Sequence, residues 1–139
     1  MQDKPTSVEL LEALAAFLRE EIAPRVDGGL RFKAIVGANV AAIVAREIAL
    51  GPATDREERA RLVALLGEDA ARAGENAASG EVPDVAAEVR RLSFELCRRI
   101  DAGDADAGPW RRELLDHLRR TVDAKLSIDA PRTGQRERG

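Results

Sequence analysis

One run of apolar residues constrains the fold of this chain more than any other feature. Residues 30–51 read LRFKAIVGANVAAIVAREIALG, a segment that is nearly all apolar although it contains Asn39, Arg46 and Glu47. It is apolar on more than one side, which is typical of a central helix that neighbours contact on several faces. The sequence therefore predicts a central second helix from about Leu30 to Leu50, ended by Gly51-Pro52.

The composition predicts an all-α protein. Hydrophobic residues make up 45% of the 139-residue chain and charged residues 34%, whereas the aromatic content is only 3%. Ala, Leu, Arg and Glu favour helices, and the chain is long enough for one hydrophobic core. We expect a single-domain bundle of about five helices over residues 1–130, followed by a disordered tail over 131–139 that has no apolar anchor.

Local signals place the ends of the other helices. Thr6 and Glu9 form a capping box that begins the first helix, which Pro24 ends. The apolar stripe of that helix consists of Val8, Leu11, Ala15, Leu18 and Ile22, widened by Leu10, Leu14 and Phe17. A third helix is expected from Thr54 to Gly67, and a partly helical connection over residues 68–82.

The last two helices begin at proline residues. The fourth is expected from Pro83-Asp84, with a stripe that includes Val89, Leu92 and Leu96. The fifth is expected from Pro109-Trp110. Its predicted stripe consists of Leu115, Leu118, Val122 and Leu126.

Charge and targeting signals limit the partners and the compartment. The formal net charge is −3, so the chain as a whole does not attract nucleic acid, and we expect no nucleic-acid partner. The N-terminus lacks the basic region of a secretory signal, and the uninterrupted apolar run is shorter than the roughly 20 residues of a membrane span. A single cysteine, Cys97, fits a small packing residue in a reducing compartment. We therefore expect a cytoplasmic protein that does not bind a membrane.

Asn39, Arg46 and Glu47 are the candidate ligand- or partner-binding residues. On a helix, Asn39 and Arg46 share a face, whereas Glu47 lies about 100° round from Arg46. One interpretation is structural, because buried polar groups need partners on another helix or a loop. The other is a binding site, because polar groups in an apolar setting also form ligand sites in helical bundles. The sequence favours the structural interpretation.

Arginine doublets recur on the fourth and fifth helices, at 90–91, 98–99, 111–112 and 119–120. Guanidinium groups on neighbouring helices could bind a phosphate. Acidic residues nearly neutralise both helices, however, so solvated faces with salt bridges are the favoured interpretation.

His117 is the only histidine, and Glu113 precedes it by one helical turn. A zinc or di-iron site needs three or more ligands, and no such set is recognisable. We therefore expect no metal and no cofactor, and a surface or half-buried His117. The motifs of nucleotide-binding loops and nucleophile elbows are missing as well, so no catalytic residue is predicted.

Three segments give the chain a family resemblance: MQDKPTSVELLEALAAFL, LRFKAIVGANVAAIVAREIALGP and LLDHLRRTVDAKLSIDAPR. Together they resemble a family of short bacterial proteins of unknown function, whose genes commonly lie beside acyl-CoA dehydrogenases and kinases of the aminoglycoside-phosphotransferase type. The resemblance implies an accessory role in acyl-CoA metabolism. Its central motif matches Phe32, Asn39, Arg46, Glu47 and Leu50, and its closing motif matches Pro131-Arg132 but departs at Ala130 and Thr133.

Three classes of function remain open at this stage. The leading hypothesis is a non-catalytic helical interaction protein that binds through a helix face to itself, as a homo-oligomer, or to a kinase-like or acyl-CoA dehydrogenase partner. The alternative is a bundle that binds an acyl-CoA or another phosphate-bearing small ligand, with Arg46 or a doublet arginine on the phosphate. The least favoured is an enzyme that uses Glu47 or His117 as an acid or base.

Overall fold

The fold was analysed in a computed structural model, which describes residues 4–75 and 84–131. These residues contain five α-helices and no strand: α1 (Ser7–Ala16), α2 (Gly28–Leu66), α3 (Glu68–Glu75), α4 (Val85–Asp101) and α5 (Pro109–Asp129). A π-helical turn, Phe17–Ile22, and a 3-10 turn, Ala23–Arg25, continue α1. The prediction of an all-α bundle of about five helices with a long central helix is confirmed. The chain divides after Gly51 into two compact units, described separately below.

The N-terminal unit begins with the predicted capping box. The Glu9 amide donates to Thr6 Oγ1 at 3.2 Å, and the Thr6 amide donates to the Glu9 carboxylate at 2.6 Å. Two amide groups that a helix start leaves without partners are thereby satisfied. These hydrogen bonds also hold the pKa of the Glu9 carboxyl below its usual value.

α1 and the first part of α2 form a hairpin whose buried residues are small. Its fully or nearly fully buried side chains are Ala15, Ala23, Ala34, Ala38, Ala41 and Ala45. At Gly37, an added Cβ atom would lie only 3.3 Å from Leu18 Cδ1. Small residues on α2 therefore let the two helices approach closely.

The large apolar residues of this hairpin are not buried. Val36, Val40, Val44 and Ile48 are 41%, 53%, 37% and 46% exposed, so the expectation that neighbours cover α2 on several faces is wrong. Leu10, Leu14 and Phe17, which were expected to widen the buried stripe of α1, are also exposed. The reason is geometric: within a two-helix unit each helix buries one stripe against the other, and here the alanines occupy that stripe.

The C-terminal unit has a core of larger residues. Its buried cluster contains Leu62, Leu65, Val89, Leu92, Leu96 and Leu114. The indole Nε1 of Trp110 donates to the Leu65 carbonyl at 3.1 Å and joins the start of α5 to this core. α4 begins at Asp84, whose carboxylate accepts from the Ala86 amide at 3.1 Å, close to the predicted start.

The buried stripe of α5 differs from the prediction. Leu115, Leu118 and Val122 are 43%, 40% and 54% exposed, whereas Leu114 and His117 are buried. The predicted stripe is therefore rotated by about one residue relative to the observed one. The buried face of α5 includes the polar residue His117. The prediction followed the apolar residues alone, and these lie along the neighbouring stripe. Cys97, expected to be a packing residue, is likewise exposed.

Two predicted boundaries also need correction. The helix predicted to end at Gly51-Pro52 continues through Pro52 to Leu66, so no separate helix begins at Thr54. Gly67, with φ +94°, does end α2 as predicted. Within the predicted, partly helical connection 68–82, residues 68–75 form α3. Residues 76–83, and positions 132–139 of the predicted tail, lie outside the described residues.

Candidate functional site

The three candidate residues do not gather in one site. Asn39 is exposed, and its side-chain oxygen accepts a hydrogen bond of 2.9 Å from Arg19 Nη2. Arg46 is half-buried and interacts with another group. Glu47 is exposed and forms no ion pair with any residue that the structure describes. Asn39 thus has a partner on the neighbouring helix, as the structural interpretation requires, and a binding role for the three residues stays a prediction.

Arg19, the partner of Asn39, was missed by sequence reasoning. It lies in the π-helical turn Phe17–Ile22, where the chain departs from regular α-helical spacing. The only signal in the sequence is a charged residue between two members of an apolar stripe, Leu18 and Ile22. That signal does not predict which residue of another helix accepts a hydrogen bond from the Arg19 guanidinium.

The contacts between the two helices define two sides of the hairpin. On one side Leu18 packs over Gly37, and on the other side Arg19 donates to Asn39. Successive residues of an α-helix are about 100° apart, so these two contacts fix the directions of the other residues of α2 relative to the first helix. Val40, Val44 and Ile48 then lie toward the Leu18 side, with Val36 at its outer edge, together with Leu10, Leu14 and Phe17 of the first helix.

We call this surface the apolar side. It consists of Leu10, Leu14, Phe17, Val36, Val40, Val44 and Ile48, which are between 37% and 56% exposed. Soluble monomers rarely expose apolar residues in a contiguous patch beyond a few hundred Å², and larger patches mark sites of interaction.

By length and composition alone α2 could also cross a membrane. The mean hydropathy of its most apolar 18-residue window is 1.6, and 22% of that window is buried. The core helices of soluble proteins, which are mostly buried, and signal sequences near the N-terminus meet the same criterion.

In the C-terminal unit, an open cleft of about 560 Å³ lies beside three of the doublet arginines. Arg98 pairs with Glu95, and Arg99 pairs with Asp104 at 2.8 Å while stacking over the Trp110 ring. Arg91 donates to the carbonyls of residues 70 and 71. All three guanidinium groups therefore already have partners within the chain, which fits the salt-bridged interpretation better than a phosphate cradle.

A buried polar cluster lies between the later part of α2 and α5. His117 is only 5% exposed, so the expectation of a surface or half-buried histidine is wrong. His117 Nδ1 and the Nε and Nη2 atoms of Arg61 are buried and have no hydrogen-bond partner among the described residues. Glu58 lies close by and accepts a long hydrogen bond, 3.5 Å, from the Thr121 hydroxyl. The cluster thus combines a buried imidazole with buried guanidinium donors.

Burial lowers the pKa of His117, and the positive charge of Arg61 lowers it further, while Glu58 and Asp116 act weakly in the opposite direction. Glu113, the carboxylate proposed from the sequence as its partner, is exposed and is not among these groups. Within residues 4–75 and 84–131 no three His, Cys, Asp or Glu side chains are placed to hold a metal ion. His117 is buried, and both its burial and the charge of Arg61 favour the neutral form of the imidazole.

We expect the free energy of unfolding to fall as the pH is lowered through the range just below 6.5. His117 has a lower pKa in the folded chain than in the unfolded chain, so the unfolded chain binds the extra proton first. The stabilisation that neutral His117 contributes is complete above the pKa of this group in the unfolded chain. It is lost as the pH falls toward its pKa in the folded chain. Urea unfolding of the wild type and of His117→Gln between pH 5 and 8 measures this. If the free energy of unfolding of His117→Gln still falls with decreasing pH above pH 5, the pH dependence belongs to another group.

Arg61→Met is expected to leave the chain equally stable or to stabilise it by about 1–3 kcal/mol. The substitution removes a cation whose buried Nε and Nη2 donors have no partner in residues 4–75 and 84–131, and keeps a flexible apolar side chain in its place. Thermal and urea unfolding provide the measurement, with exposed Arg72→Met as the control. A loss of 2 kcal/mol or more in Arg61→Met would mean that the guanidinium makes a stabilising contact that this geometry does not explain.

The fold and its exposed surface define a small all-α protein that presents an apolar hairpin. Residues 24–133 match the model of a protein family described as a domain of unknown function, DUF6285. The chain belongs to this family. No curated protein and no solved structure matches the chain.

Proposed function

We propose that the chain is a non-catalytic interaction protein that binds a protein partner through the apolar side of its N-terminal hairpin. One observation carries the proposal: seven large apolar residues lie on one side of two adjacent helices and remain exposed. Burying such residues against a partner would release roughly 25 cal/mol per Å² of apolar surface. The free chain has no such gain, so the surface favours association.

The proposal includes the cellular setting that the family resemblance implies. The chain would act in the cytoplasm as an accessory protein to acyl-CoA metabolism, and an acyl-CoA dehydrogenase or an aminoglycoside-phosphotransferase-like kinase would be the neighbouring partner. The small-ligand alternative has weaker support, because the arginines beside the cleft are paired with groups of the chain itself.

Light scattering and co-purification with the two neighbouring proteins test the proposal. The wild-type chain should either self-associate or retain one neighbour, and Leu14→Glu should abolish that association while circular dichroism shows an unchanged helix content. Leu115→Glu is the matched control, because Leu115 is 43% exposed and Leu14 is 47% exposed. A chain that is monomeric at high concentration and retains neither neighbour would contradict the proposal.

A thermal-shift measurement separates the ligand-binding alternative from this proposal. An acyl-CoA at a hundredfold excess over its dissociation constant would stabilise the fold by about 2.7 kcal/mol. We expect no stabilisation, and a shift of that size would favour the alternative.

A further inference from the structure

We propose that the apolar side binds a second copy of this chain, with α2 antiparallel to the partner's α2 and Val40 on the two-fold axis. In this arrangement Lys33 of each copy lies beside the partner's Glu47. The inference rests on the proposed function and names its partner. It follows from the register of the exposed residues, from the charges at the two ends of the stripe, and from the direction in which the apolar side points.

The register of the exposed stripe is centred on Val40. The part of α2 that belongs to the N-terminal unit runs from Gly28 to Gly51, and Val40 lies at its midpoint. Phe32, Val36, Val40, Val44 and Ile48 are exposed and follow one another in steps of four, so Val40 is the middle residue of this row. Antiparallel pairing about Val40 places Val36 against the partner's Val44, and Phe32 against the partner's Ile48.

The charges beside this stripe are self-complementary. Lys33 and Glu47 each lie seven residues from Val40, which is two helical turns or about 10 Å along the axis on the same face. Both side chains are exposed, and neither forms an ion pair with a residue in the described part of the chain. A two-fold axis at Val40 brings each lysine to the opposite glutamate and creates two pairs. A stripe flanked by one sign of charge would instead repel its own copy.

The direction of the apolar side also fits a second hairpin. On α2, the valine stripe lies about 100° round the helix from the alanines that contact the first helix. Leu10, Leu14 and Phe17 are displaced from Ala15 in a similar way on the first helix. Each helix of a square four-helix bundle contacts two neighbours in directions about 90° apart, so two such hairpins complete a bundle. The apolar side exposes on the order of 600 Å², close to the roughly 800 Å² per partner of a standard specific interface.

A lipid bilayer is the other apolar environment that this side could enter, and the observations favour it less. Lys33 and Glu47 lie on the exposed face of α2, and Arg46 is on the same helix, so insertion would bury charges in hydrocarbon. A second copy instead pairs Lys33 with Glu47. Vesicle binding is therefore one outcome of the test below, and it would overturn the inference.

A charge exchange tests the register directly. Sedimentation equilibrium should show a dimer for the wild type and a dissociation constant roughly tenfold weaker for Lys33→Glu or Glu47→Lys, because each places like charges side by side twice. The double variant Lys33→Glu/Glu47→Lys should dimerise like the wild type. An equimolar mixture of the two single variants should also recover the affinity of the wild type by forming a heterodimer. In this heterodimer one chain carries two glutamates and the other carries two lysines. Failure of both recoveries would overturn the proposed register.

Val40→Glu tests the axis itself and should yield a monomer. Val122→Glu is the matched control, because Val122 is 54% exposed and Val40 is 53% exposed, and this control should remain dimeric. Circular dichroism of both variants verifies that they fold. A wild-type dimer that is unchanged by Val40→Glu would place the interface elsewhere and overturn the inference.

The remaining outcomes separate this inference from the proposed function. A monomeric chain that retains a neighbouring protein, and loses it in Val40→Glu, overturns the second copy as the occupant but leaves the interaction function intact. A monomeric chain that retains no protein overturns both. Flotation with phosphatidylcholine vesicles that is abolished by Val40→Glu would also overturn both, because the apolar side would then bind lipid.

Discussion

Leu92→Ala is expected to destabilise the C-terminal unit by about 3 kcal/mol, within the roughly 2–5 kcal/mol typical of buried leucines. Leu92 has no exposed surface and belongs to the buried cluster that includes Leu62 and Leu96. The substitution removes three carbon atoms from the core and leaves a cavity that helices on several sides cannot collapse to fill. The cost therefore includes both lost burial and lost packing contacts.

Urea unfolding followed by circular dichroism and by Trp110 fluorescence measures the effect. Trp110 packs against the same cluster, so its emission reports on this core. Phe94→Ala is the control, because Phe94 is on the same helix but 78% exposed, and its loss should cost no more than about 0.5 kcal/mol. Equal costs for the two variants would contradict the assignment of Leu92 to the core.

Much of the fold could be predicted because its signals are local. The capping box of Thr6 and Glu9, the start of α4 at Asp84 and the end of α2 at Gly67 all depend on groups within a few residues of each other. The core leucines of α4, Leu92 and Leu96, were predicted as well. There the apolar stripe is bordered by charged residues, so its direction is unambiguous.

The error at Gly51-Pro52 has a physical explanation. Pro52 removes the hydrogen bond to the Ile48 carbonyl, which normally favours a break. Ending the helix there would leave more backbone groups without partners, since every helix end exposes four of them. Gly51 also has no Cβ atom to clash with the proline ring, so the residue before Pro52 can stay helical. The same pair of residues is therefore compatible with both outcomes, and the helix formers on either side favour continuation.

The candidate site could be predicted only in part. Asn39, Arg46 and Glu47 were selected as polar residues in an apolar run, and their separation on the helix follows from its periodicity. The partner of Asn39 could not be predicted, because Arg19 reaches it from another helix through a π-helical turn. Exposure of the valines could not be predicted either, since an apolar helix face has the same sequence whether a neighbour covers it or not.

Ala38→Leu is expected to destabilise the N-terminal hairpin by about 3 kcal/mol, the upper part of the range for overpacking. Ala38 has no exposed surface, and it lies one residue from Gly37, where the two helices approach so closely that an added Cβ would already crowd Leu18. A leucine at this position must push the helices apart. Amide hydrogen exchange of α1 should therefore accelerate, and urea unfolding should begin at a lower concentration.

Ala49→Leu is the control, because Ala49 is exposed on the same helix and leucine has nearly the same helix propensity as alanine. It should leave exchange in α1 unchanged. The pair of variants also bears on dimerisation, because the apolar side consists of residues from both helices and exists only while the alanine interface holds them together. Ala38→Leu should thus weaken self-association without altering any residue of the apolar side. Retention of both the exchange rates and the dimer in Ala38→Leu would show that the close approach at Gly37 does not define the hairpin.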